Sequence, residues 1–244
     1  RRPSGVYRGR RACRSGCLGH LIAASHLIGE RMFDSLILLA SYLLGSVSGS
    51  LLLGRFRGVD IRNQGSGNAG GTNAFRTQGF KFALGVVLID IGKGALAAYL
   101  ALRFSSPAYR DVLPSAAVFC AVIGHVWPVF HGFRGGKGAA TLVGGLLLLL
   151  PAAVLILVAV WCLCLSLTGY VGLSTVLAGF SLLAFALISD APMPILIFSA
   201  LAAFLMLFTH RANMQRLLQK NEYRFDKIML WRRAWRALSG SRRD

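Results

Sequence analysis

The sequence predicts an all-α integral membrane protein, a polytopic helical bundle of seven transmembrane helices, some of them of half length. Three observations predict it. The chain of 244 residues is 55% hydrophobic and only 15% charged, with a mean hydropathy of +0.59, which is more apolar surface than one soluble core absorbs. The apolar residues are gathered into runs at 33–54, 82–102, 112–131, 139–167, 170–189 and 193–209, most of them near the roughly 20 residues a helix needs to cross a bilayer. The cations that give the net charge of +18 lie between these runs, as in cytoplasmic loops of membrane proteins, and not in the stripe that a nucleic-acid binder presents.

Residues 1–31 are Arg-rich and match neither a signal peptide nor a span, because Leu18 to Ile28 is short and broken by His20 and His26. Met32 directly precedes the first apolar run, so the native chain is expected to start there; a genuine basic extension is the alternative. The membrane domain is expected over 32–222, with 223–244 as a basic interfacial tail whose Trp231, Arg232, Arg233, Trp235 and Arg236 suit anionic lipid. Cys13, Cys17, Cys120, Cys162 and Cys164 offer neither CxxC spacing nor a His in register, so neither a zinc site nor a disulfide framework is expected.

Segments 55–81, 132–138 and the region after His210 are all cationic, and the positive-inside rule places all three in the cytoplasm. Returning to the same face between Lys137 and His210 requires an even number of crossings. Run 139–167 is therefore expected to be two short helices bent near Pro151, which gives seven crossings; one run that fails to cross would give five.

The first loop carries Arg62, Gly65, Ser66, Gly67, Asn68, Thr72, Asn73 and Arg76. Its glycines can turn successive N–H groups toward one point and its side chains add donors and charge, as a phosphate site requires; a flexible polar linker is the alternative. The second loop carries His125, His131, Gly135, Gly136, Lys137 and Gly138 and runs into an apolar helix from Ala139, whose N-terminus favours an anion. It is not a Walker A loop, since His131 stands where that motif has Gly and Gly138 where it has Ser or Thr. His125 and His131 read more readily as packing or helix-end residues than as catalysts. In the third, His210, Asn213 and Arg216 share a helical face, which a snorkelling basic helix end would equally explain. Asp90 and Lys93, three apart inside the second run, tolerate the membrane by pairing; a structural ion pair and a substrate-facing lysine are both open.

These motifs together resemble the bacterial acyl-phosphate glycerol-3-phosphate acyltransferases from about Leu36 to Glu222. The resemblance rests on Tyr42 to Ser46, Asp60-Ile61-Arg62, Gly65 to Asn68, Thr72-Asn73, Asp90 with Lys93-Gly94, Gly124-His125 with Trp127-Pro128, Gly135 to Gly138, and His210, Asn213, Arg216-Leu217 and Glu222. It implies acyl phosphate and glycerol 3-phosphate as substrates, lysophosphatidate as product, no metal, no cofactor, no obligate protein partner, and a bacterial inner-membrane location with the site on the cytoplasmic side. By position, Ser66, Asn68, Thr72 and Arg76 would hold the acyl-phosphate headgroup, Gly135, Gly136 and Lys137 a substrate phosphate, and His210 and Asn213 the acceptor. Ser66, Arg76, Lys137, His210 and Asn213 form the expected catalytic set. Ser46, Arg62, Gly65, Gly67, Asn68, Thr72, Asn73, Lys93, Gly135, Gly136, Gly138 and Ser174 are expected around the substrates, and Glu222 ties the tail to the site. The family pattern has Ala at Gly71 and Ser at Gly172, so the second departure removes one acceptor contact that Ser174 or Thr175 would have to supply from another position.

No H-x4-D pair is present: Ser25, Arg31, Phe130, Gly136 and Gln215 stand five residues after the five histidines. The proton acceptor is then His210 or a substrate phosphate, whose second pKa is about 6, and the family resemblance favours the phosphate. A transporter for a phosphorylated metabolite is the competing class, but internal repeats and a polar route to both faces are missing from the sequence.

Overall fold

A computed structural model describes residues 29–229, and the expected leader before Gly29 and the tail after Met229 lie outside the described residues. Ten α-helices occur among those residues, with no strand: α1 (Gly29–Gly45), α2 (Gly49–Arg57), α3 (Gly71–Gln78), α4 (Phe80–Phe104), α5 (Leu113–Val126), α6 (Ala139–Leu149), α7 (Pro151–Thr168), α8 (Val171–Ile188), α9 (Met193–Thr209) and α10 (Arg211–Leu218). Four single segments are long and apolar enough to span: α4, Leu113–His131, α7 and α8. The pairs α1/α2 and α9/α10, bent by 42° and 54°, raise the number to six. The expected seventh, α6, has 11 residues and at 1.5 Å per residue reaches only about 16 Å.

The division of run 139–167 falls where the sequence places it. Helix α6 ends at Leu149 and Pro151 opens α7, a position where the missing proline N–H costs nothing and its fixed φ suits a first turn. Helices α6 and α7 form a hairpin that leaves the loop face and comes back to it, since Gly169, just past α7, accepts a hydrogen bond from the Phe225 N–H (2.9 Å).

Packing follows membrane rules, with small residues at the crossings where backbones approach closely. A Cβ on Gly94 would overlap the Thr141 carbonyl and one on Gly144 the Ile91 carbonyl, so α4 and α6 touch through their backbones. Gly45 on α1 and Gly124 on α5 do the same against Ala121 and Tyr42. Val118, Val122, Leu146, Leu157, Leu182, Phe198 and Met206 fill the space between α5 and α9.

The break between α1 and α2 explains the buried charges. A helix break frees backbone groups that must be paired in the membrane. Here Lys93 Nζ donates to the Val47 carbonyl (2.8 Å) and the Gly49 N–H donates to Asp90 Oδ1 (3.3 Å). Lys93 and Asp90 pair at 3.0 Å, and His125 Nδ1 lies 2.8 Å from Lys93 Nζ. Of the two roles open for Lys93, its partners support the structural one.

Candidate active site

One cavity of about 330 Å³ gathers the three cationic loops, a size within the range of small-ligand sites. Its polar end is lined by Ser66, Asn68, Thr72, Asn73 and Arg76 of the first loop and α3, by Lys137 and Gly138 of the second, and by His210, Asn213 and Glu222 of the third. Its apolar wall is made by α6 to α9 through Leu142, Val143, Leu157, Trp161, Thr175, Ala178 and Met206.

Two helix N-termini open on the polar end. In α3 the first intrahelical bond is from the Ala74 N–H to the Gly70 carbonyl, and in α6 from Leu142 to Gly138. The N–H groups of Gly71, Thr72 and Asn73, and of Ala139 to Thr141, therefore precede the helical ladders, and both dipoles favour an anion in the cavity. Gly138 caps α6 at φ 90°, which aims the chain from Lys137 into the helix as only glycine does comfortably.

The first loop is shaped by Asn73. Its Oδ1 accepts from the Ser66 N–H (2.9 Å), and its Nδ2 donates to the Ile61 and Gln64 carbonyls (3.0 Å each). Gly65 and Gly67 adopt left-handed φ values of 57° and 71° and turn the loop without lining the cavity. Arg62 also lies outside it. Its guanidinium pairs with Asp60 (2.7 Å) and donates to the His131 carbonyl (3.0 Å), joining the first loop to the second; the hydrogen bonds from Arg62 hold the Asp60 carboxyl below its ordinary pKa.

The second loop reaches the cavity through Lys137, not through its paired glycines. The Gly135 N–H donates to the Val126 carbonyl (3.2 Å) and the Gly136 N–H to the His125 carbonyl (3.1 Å), so both donors are used within the loop and neither residue lines the cavity. Their role is clearance: a Cβ on Gly136 would enter the His125 ring. Lys137 Nζ donates to Asn213 Oδ1, Asn213 Nδ2 donates to Glu222 Oε1 (2.7 Å), and Arg216 Nε donates to Glu222 Oε2 (2.7 Å). Desolvation, reinforced by Arg216, pulls the Lys137 ammonium down to a pKa of about 8. Burial likewise lowers Arg76 from its ordinary value, with Glu222 opposing the shift.

His210 stands at the bend between α9 and α10, with Nδ1 2.8 Å from the Met206 carbonyl. That partner requires Nδ1 to carry the proton and leaves Nε2 as an acceptor. Ser46, Lys93 and Ser174 do not line the cavity; the Ser46 hydroxyl donates to Tyr42 and that of Ser174 to Tyr170. Thr175 does line it, but its hydroxyl already donates to Val171 and accepts from Trp161 Nε1 (3.2 Å). Gly172 lies against Asn213, where a Cβ would come within 2.8 Å of the asparagine Cβ.

Three features escape the sequence reading. The N-terminus of α3 carries no capping side-chain signal, its cap being Gly70. The apolar wall is invisible in a chain that is apolar nearly throughout. The third feature is the packing of residues 223–229, with Arg224 Nε on the Thr168 carbonyl (3.0 Å), Met229 buried, and the Tyr223 ring 4.0 Å from the Arg76 guanidinium.

The bundle and its cavity define an integral membrane protein with a cation-lined polar pocket continuous with an apolar wall. The family model for glycerol-3-phosphate acyltransferase matches residues 35–220. The chain belongs to the glycerol-3-phosphate acyltransferase family and is a membrane acyltransferase. It is 42% identical to the glycerol-3-phosphate acyltransferase of Geobacillus kaustophilus over 189 residues, 77% of this chain and 94% of that one, and 38% identical to that of Bacillus subtilis over 192 residues, 78% and 97% of the two chains. Among solved structures it resembles PlsY (YgiH), an integral membrane glycerol 3-phosphate acyltransferase. In its glycerol 3-phosphate form that structure is 33% identical, with a TM-score of 0.75 over 80% of this chain and 96% of that one. The lysophosphatidic acid form gives 32% and 0.73, over 79% and 95% of the two chains. Family membership overturns the transporter alternative.

Proposed function

We propose that this protein transfers the acyl group of an acyl phosphate to glycerol 3-phosphate at the cytoplasmic face of a bacterial inner membrane. Lysophosphatidate and inorganic phosphate are the products, and the reaction is the first step of phospholipid synthesis. The supporting observation is the single cavity in which two helix N-termini, Arg76 and Lys137 meet an apolar wall, because both substrates bear a phosphate and only one bears a chain.

The donor headgroup lies against Ser66, Asn68, Thr72 and Arg76, with its chain along α6 to α9. The acceptor phosphate lies on Lys137 beside Asn213, and His210 Nε2 accepts a hydrogen bond from the C2 hydroxyl of the acceptor. The C1 hydroxyl oxygen attacks the carbonyl carbon, the carbonyl carbon to phosphate oxygen bond breaks, and the C1 hydroxyl proton passes to a phosphate oxygen. Because the donor is already activated, the protein supplies orientation and stabilises developing negative charge. His210→Ala is expected to raise KM for glycerol 3-phosphate by about tenfold, as loss of one hydrogen bond in a desolvated site does. A collapse of kcat with KM unchanged would make histidine the base.

The test incubates purified protein in EDTA with labelled glycerol 3-phosphate and palmitoyl phosphate, palmitoyl-CoA or palmitoyl acyl carrier protein. Lysophosphatidate from palmitoyl phosphate alone is the expected result. Product from either thioester and none from the acyl phosphate would refute the assigned donor.

A further inference from the structure

We propose that Tyr223 and Phe225 are positioning residues for Arg76, holding the plane of its guanidinium so that its edge N–H groups face the phosphorylated substrate. The inference rests on the function proposed above. Arg76 lines the cavity, yet its buried Nε meets no hydrogen-bond acceptor among the described residues. A buried guanidinium donor without a partner is costly unless a ligand completes it. What holds the group is aromatic: the Tyr223 ring lies 4.0 Å and the Phe225 ring 4.9 Å from the guanidinium carbon, and the two rings pack edge to face on each other at 4.9 Å.

The rings are held independently of Arg76. Glu222 is fixed by Asn213 and Arg216, the Phe225 N–H by the Gly169 carbonyl, and Arg224 by the Thr168 carbonyl. Both ends of this short strap are therefore pinned to α10 and to the α7/α8 junction, and the flexible arginine is the partner that gets ordered. Two rings set at 75° to each other against one guanidinium limit how it can turn, and aromatic contacts use none of its N–H donors, which stay available for phosphate oxygens. The family model matches residues 35–220, so Arg76 lies within the matched segment and the two rings just beyond its end.

The experiment compares Tyr223→Leu/Phe225→Leu, Tyr223→Phe and Arg76→Lys, alone and combined, in the purified full chain. The double leucine variant is expected to raise KM for palmitoyl phosphate about tenfold with kcat within about twofold, and Tyr223→Phe to match the parent. In the Arg76→Lys background the leucine substitutions should add little, because their effect passes through the guanidinium. A second readout needs no turnover: inorganic phosphate should raise the melting temperature of the parent and of Tyr223→Phe by more than that of the double leucine variant, which keeps only the phosphate site at Lys137. The clamp is refuted by an undiminished leucine effect in the Arg76→Lys background, or by an unchanged phosphate shift. A parent that makes no lysophosphatidate but still shows these phosphate shifts would refute the function and keep the clamp.

Discussion

Lys137 combines a cation with a dry setting. Its ammonium is held at a pKa of about 8 by desolvation and donates to Asn213, so it is mostly protonated at pH 7 and loses its charge as pH rises through about 8. Phosphate affinity should follow that sign: KM for glycerol 3-phosphate should stay low between the phosphate's second pKa, about 6, and pH 8, then climb. Lys137→Arg should remove the alkaline rise, because a guanidinium stays charged. Lys137→Met should lower kcat/KM by roughly 10- to 100-fold, the value of one charge-assisted hydrogen bond. Initial rates across pH 6 to 10 check all three, and an alkaline limb that persists in the arginine variant would assign it to another group.

Among the elements, α4 carries two demands at once: it crosses α6 at backbone contact and it neutralises the break in α1/α2. A Cβ on Gly94 meets the Thr141 carbonyl, whereas one on Gly92 meets nothing within 4 Å. Gly94→Val should therefore cost about 2 kcal/mol or more through overpacking, and Gly92→Ala should be neutral or slightly stabilising; thermal melting of both in detergent makes the comparison. Lys93→Met leaves Asp90 buried without its ammonium partner and should cost roughly 3–5 kcal/mol, with Asp90→Asn/Lys93→Met recovering part of the loss. A double variant no more stable than Lys93→Met would rule out charge imbalance as the cause. The sequence foretold much at this scale. The three-residue spacing of Asp90 and Lys93 announces a pair, and Pro151 announces a helix start. It did not foretell that the pair serves Val47 and Gly49, because backbone groups freed by a break leave no trace in residue type.

For the whole molecule, the parity of crossings and the shared cavity make one claim: the loops bearing Arg76, Lys137 and His210 lie on one side of the bilayer. In a background without native cysteines, Asn63→Cys, Arg134→Cys and Lys220→Cys, all at exposed positions, should react with an impermeant maleimide from one face of oriented vesicles, and Arg110→Cys and Asp190→Cys from the other. Labelling of any of the first three from the opposite side would break the topology. Cations and glycines marked the loops, so convergence of the polar end was legible in composition. The donors of Gly135 and Gly136 were not, since whether a loop N–H points outward or back to its own helix depends on geometry that residue type does not encode.

The strap that brings Tyr223 and Phe225 onto Arg76 is translated after all ten described helices. A ribosome must therefore release some 150 residues beyond Arg76 before that arginine meets its aromatic neighbours, and a nascent chain with its bundle already inserted would still lack a finished site. If the aromatic pair positions Arg76 as proposed, membrane integration should precede the onset of turnover.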